Sequence, residues 1–131
     1  MNKQWIDQAI ADKTAFVLGG VGKETIRSME ERLEFIFPKS YVAFLNLYGA
    51  LSVNNHEIFG HAPSSHIDVV ENTLQERERT KELEQYVVIE NPGFDGILIA
   101  MDKLGQIWEY SSSELELLYS SFDEFLDIII K

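Results

Sequence analysis

Three groups of residues have the types that carry out chemistry. The first is "FVLGGVGKET", Phe16 to Thr25, with "ILIAMD", Ile97 to Asp102, much later. Glycines before a lysine, and an apolar strand ending in aspartate, are the parts of a phosphate-binding loop and its magnesium-holding carboxylate. The spacing departs from that chemistry. The loop needs glycine five residues before Gly22, where Val17 stands. It also needs a Ser or Thr hydroxyl directly after Lys23, where Glu24 stands and would repel phosphate. The segment reads instead as a glycine loop entering a helix, and no nucleotide or other cofactor is expected.

The second group is His56, His61 and His66. A spacing of five puts no two of them on one helical face, unlike the i, i+4 pair of a helical zinc site. A loop could gather them with Glu57 or Asp68, but solvated loop residues and caps have the same pattern, and no metal is expected. The third group is acidic: Glu90, Asp95, Asp102, Glu109 and Glu114. Paired carboxylates split into an acid and a base when their environments differ. Asp95 in "PGFDG" and Asp102 in "DKLG", however, stand where aspartate serves turns by bonding nearby backbone. The chain has no cysteine, no serine in a nucleophile motif and no histidine in the strands predicted below, so no triad is expected. The expectation is a non-enzyme that works by binding.

The elements that must position these residues are legible from apolar spacing. Trp5, Ile6, Ala9 and Ile10 predict a helix over 3–13, and Ile26, Met29 and Leu33 a second over 23–34. Pro38 suits a first helical position, Tyr41, Phe44, Leu45 and Tyr48 form one stripe, and Gly49 supplies a left-handed stop, giving a helix over 38–48. A short extended "EIFG" follows. Ile67, Val70 and Leu74 anchor a helix over 66–79 whose second half is all charge. Short apolar runs then alternate with turns, predicting antiparallel strands near 86–91, 96–102, 106–111 and 115–119. Ser121 and Glu124 have capping-box spacing at the start of a last helix over 121–130. Phe44, Leu45, Val88, Ile99, Leu117, Phe122, Phe125 and Ile129 are the expected core. The fold class is α+β: one domain over 1–131, with an antiparallel-rich curved sheet packed against N-terminal helices and a C-terminal helix.

Charge is the unusual bulk property. Twenty-two acids against 11 Lys and Arg give −11 over 131 residues, and nine acids against two lysines from Tyr86 onward concentrate −7 there. That sign opposes nucleic-acid binding, which depends on neutralising phosphates. It suits either solubility or the steering of a basic partner. Charges every three to five residues near the N-terminus leave no signal-peptide core, and "GILIAM" is far too short to span a bilayer, so no membrane association is expected and a cytoplasmic location is.

The ordered series "IRSMEERLEFIFPKSYVAFLNLYG", "IFG", "DVVENT", "YVVIENPG", "ILIAMDKLGQIW" and "YSSFDEFL" resembles the SUKH superfamily, in the branch joining the yeast cell-wall-assembly regulator to many bacterial proteins. The resemblance runs from about Ile26 to Leu126. It implies helices packed on a mixed, curved sheet. It also implies a binding function, most often that of an immunity protein that neutralises a cognate toxin, such as a nuclease, with a basic surface. A regulatory adaptor is the alternative, and an enzyme of unrecognised class a more distant one. Partner-facing positions do not carry over from the resemblance. The charge and aromatic pattern nominates Tyr86, Glu90, Asp95, Glu109, Tyr110 and Glu114, with Trp108 either beside them or in the core.

Overall fold

The computed structural model of the protein describes the backbone of residues 1–131 and every side chain except that of Ser65. Helical spacing becomes helix where it was expected: α1 is Lys3–Ala11, α2 Lys23–Leu33, α3 Lys39–Leu47, α4 Val69–Arg79 and α5 Phe122–Ile130. Pro38 is the N-cap of α3 rather than its first residue, and its carbonyl accepts the Tyr41 and Val42 N–H groups. Before α4 lies a separate 3-10 turn, Ser65–Ile67, and Asp68 caps the helix by accepting the Glu71 N–H. The charged second half of α4 stays helical to Arg79. Arg77 helps to hold it, donating to the carbonyls of Leu33 and Tyr86 and so tying α2 to the sheet.

Seven strands form two antiparallel sheets. β1 (Ala15–Val17), β2 (Leu51–Val53) and β3 (His56–Ile58) make a small three-stranded sheet, of which only the last strand was signalled in the sequence. β4 (Val87–Glu90), β5 (Leu98–Met101), β6 (Ile107–Ser111) and β7 (Glu114–Tyr119) make the larger meander. One bond brings the two sheets together: the Phe59 N–H donates to the Ile89 carbonyl at 2.8 Å. Among the described residues no helix is long and apolar enough to cross a membrane.

The loop "LGGVG" has a packing role. The Gly19 and Val21 N–H groups donate to the carbonyls of Tyr48 and Leu45, so they close the end of α3 instead of facing a phosphate. A Cβ on Gly20 would stand 2.1 Å from the Asn46 carbonyl oxygen, and one on Gly60 would stand 1.5 Å from that of Gly49. Only glycine permits backbones to cross this closely.

One core runs through both sheets and all five helices. At its centre Tyr41, Phe44 and Phe122 are fully buried, with ring centroids 5.1 to 5.7 Å apart. α5 is held at its start by the capping arrangement the sequence predicts: Ser121 Oγ accepts the Glu124 N–H at 3.1 Å. The returning bond goes one residue further back, from Ser120 to the Glu124 carboxylate. Of the expected core, Leu117 is the correction. It is 47% exposed, on the outer face of the edge strand β7, where no helix covers it.

Phe122→Ala removes a buried ring at the α3–α5 contact and is expected to cost about 3–5 kcal/mol. Leu117→Ala, at its exposed site, should cost under about 1 kcal/mol. Urea denaturation of the two variants measures both, and equal losses would contradict this assignment of core and edge.

Candidate functional site

Side chains alternate across a strand, and residues directly opposite on antiparallel neighbours share a face. The register of the meander therefore sorts the six nominated residues. Tyr86 and Tyr110 lie on one face with Trp108, Leu115 and Leu117. The Tyr86 and Trp108 rings meet edge to face at 6.2 Å. The indole N–H donates to Asp102 Oδ2 at 3.0 Å, and the Tyr110 hydroxyl donates to Glu82 at 3.3 Å. Asp102 also accepts the Leu104 and Gln106 N–H groups, so it shapes the β5–β6 turn. Trp108 is thus half-buried, neither core nor free surface. Burial, helped by the Asp102 charge, raises the Tyr86 phenol above its ordinary range.

The opposite face carries the acids. Glu90, Ile99, Glu109 and Glu116 stand in one row across β4, β5, β6 and β7, and Glu114 opposes Ser111 in the next row. Glu116 was missed, although the alternation in "ELELLY" puts it on the face of Glu114. Like charges directly opposite on neighbouring strands destabilise a sheet, so the Glu109–Glu116 pair is a feature that packing alone does not call for. Asp95 is exposed in the β4–β5 loop with φ 54°, beside Phe94. The six residues thus do not converge on one patch: two aromatics face one way, and four acids face or flank the other.

Glu90 is the second correction. It is 4% exposed and cannot serve as a displayed surface charge. The ladder skips a residue between Val88 and Glu90, a bulge that re-aims the carboxylate toward the Ile99 side. There it accepts from His56 Nδ1 on β3 at 2.8 Å. The pair is part of the lining of a cleft of about 670 Å³ bounded by α5, the β2–β3 turn and the β4–β5 loop, with Phe94, Ile99, Leu118 and Ile128 among its walls. Asn54 fixes the mouth by donating to the Ile129 carbonyl at 2.9 Å. His61 donates its backbone N–H to Gly49, and His66 lies 3.6 Å from Glu57. Among the described residues no three His, Asp or Glu side chains come together as metal ligands.

Burial raises the Glu90 carboxyl above its ordinary 4.5, with the His56 contact pulling the other way. A carboxyl whose folded pKa exceeds its unfolded one binds its proton more tightly when folded. The stability it contributes is present below the unfolded value and is lost as pH rises through the folded one. As pH rises from about 4.5 across the mildly acidic range, the wild type should therefore lose stability relative to Glu90→Gln, which cannot titrate. Urea midpoints of both proteins across that range test this, and a constant difference would contradict it.

The acid row, the aromatic face and the cleft sit on a chain that can be compared with known proteins. No curated protein matches it. A family model described as SMI1-KNR4 cell-wall, SUKH_5, matches residues 3–131. The match takes in every helix and strand described above, so the protein belongs to the SMI1-KNR4 cell-wall family, in its SUKH_5 group.

Proposed function

We propose that the protein is an immunity protein, which neutralises a cognate toxin by binding a basic surface of it and performs no catalysis of its own. The observation that carries this reading is the family match over residues 3–131, because the bacterial proteins of the superfamily it resembles act by binding. The acid-bearing face of the meander supports the direction of the charge. Glu109, Glu114 and Glu116, flanked by Asp95, make a negative surface whose internal repulsion a cationic partner would relieve. Tyr86 and Tyr110 lie on the far side of the sheet and take no part in this interface. Glu90 acts from within the cleft rather than from the surface.

A second reading, an intracellular adaptor of the cell-wall-regulator type, is favoured by the description of the family itself. Genomic position separates the two: an immunity gene follows directly on a gene for a long secreted toxin.

Co-expression with the product of that adjacent reading frame is the functional trial. The wild type should protect cells. Reversal of Asp95, Glu109, Glu114 and Glu116 to lysine should abolish protection and slow association at low salt by about tenfold or more. Folding should be little affected, since exposed substitutions shift stability by about 0.5 kcal/mol or less each. Full protection by the reversed variant, with an unchanged association rate, would place the interface elsewhere and reduce the acidity to solubility.

A further inference from the structure

A carboxylate buried in the wall of a cleft is a costly arrangement; Asn54, Asn55, His56 and Lys131 also line this one, and the rest of its lining is apolar or aromatic. Glu90 is 4% exposed and its desolvation costs stability, whereas its partner His56 is partly exposed. The cleft's rim is unusual in the opposite sense. Phe94, Leu118 and Ile128, 60%, 37% and 48% exposed, gather there as large apolar side chains in water. Outside the rim, Glu109 and Glu116 continue the row that begins at Glu90. Exposed apolar side chains thus share one cleft with a buried acid, beside a negative surface.

We propose that this cleft is a socket for one arginine side chain of the protein partner. Its stem would lie on Phe94, Leu118 and Ile128, and its guanidinium would reach the Glu90 carboxylate. The occupant follows from complementarity: exposed apolar side chains in one cleft with a buried acid fit a long aliphatic stem that ends in a cation. Arginine fits better than lysine because its head group is weakly hydrated, loses less on entering an apolar site and stacks on aromatic rings. Phe94, Tyr119 and Phe125 supply such rings along the cleft. His56 is bonded to one carboxylate oxygen, Oε2, and the Glu57 backbone also bonds to the carboxylate, so the guanidinium would join these two partners. Lys131 is also part of the lining, but its ammonium lies over the Trp5 ring, 5.5 Å from the centroid, rather than on Glu90.

The assignment rests on the reading of the protein as a binder of a basic partner, but its test needs no toxin. The full chain, isotopically labelled, is titrated with n-butylguanidinium and, separately, with n-butylurea, which has the same shape and no charge. The cation should shift the resonances of Phe94, Ile99, Leu118 and Ile128 saturably, and the urea should not. Glu90→Gln should weaken the cation at least about tenfold, whereas Glu24→Gln, exposed at the start of α2, should change it less than about twofold. Should Glu90→Gln fail to fold, the comparison of cation with urea in the wild type decides. Equal binding of the urea, or shifts spread over the acid row and absent from the cleft, would overturn the proposal. Tighter binding of spermidine than of the guanidinium would also overturn it, in favour of a polyamine site. Guanidinium binding as described, together with failure to protect against the adjacent toxin, would remove the immunity reading and leave the socket standing.

Discussion

The Tyr41 hydroxyl is the point on which the arrangement turns. It is wholly buried and donates to the Phe59 carbonyl at 2.6 Å. Burial also raises its pKa far above the ordinary phenol range, which keeps it a neutral donor. Its ring contacts Phe37, Phe44 and Phe122, so one side chain joins α3 to α5 and to the end of the small sheet. Phe59 in turn donates its N–H to Ile89, the residue before Glu90. The helical layer, the small sheet and the meander are therefore connected through two consecutive hydrogen bonds. His56 and Glu90, which come from different sheets, meet beside that connection. Loss of the hydroxyl would strand a buried carbonyl, a penalty larger than the net value of the bond itself.

Against this rigid centre, the acids of the meander look like a concession. A sheet has no structural need for Glu109 opposite Glu116, and salt only partly screens carboxylates on neighbouring strands because the strands lie within a Debye length of each other. The capped, aromatic-filled helical layer supplies enough stability for the sheet to carry that repulsion. Violations of local rules of this kind concentrate where a protein meets its partner. The aromatic face shows the contrast. Two of its polar tips are satisfied within the chain, Trp108 by Asp102 and Tyr110 by Glu82, which suits a closed surface more than an open one.

Much of this was legible in the sequence because it depends on local pattern. The stripe of Tyr41, Phe44 and Leu45, the stop at Gly49, the cap at Ser121 and the four strands of the meander all follow from spacing and turn chemistry. What stayed hidden depends on register. β1 and β2 are three residues each, too short for alternation to establish a period, and they form a sheet only because loops crossing at Gly20 and Gly60 bring them together. Leu117 was assigned to the core because nothing local says that β7 is an edge strand with one uncovered face. Glu90 was assigned to the surface because simple alternation cannot foresee a bulge. One extra residue in β4 moves the carboxylate from the face of Tyr86 to that of Ile99, and from display to burial.

The bulge also separates two kinds of acid by the physics that governs them. Glu109, Glu114 and Glu116 are at least partly solvated, so their attraction for a cation is long-ranged but falls as salt rises. Glu90 is shielded from mobile ions by the walls of the cleft, so its attraction is short-ranged and nearly independent of salt. Exposed charge governs how fast a partner arrives, and a desolvated charge pair governs how long it stays. A face that carried only the exposed row would attract any basic protein and hold none selectively. A buried acid without the row would be selective but slow to find its target. With both built from one row of the meander, the outer acids can vary in number without loss of selectivity, provided that the bulge keeps Glu90 in the cleft.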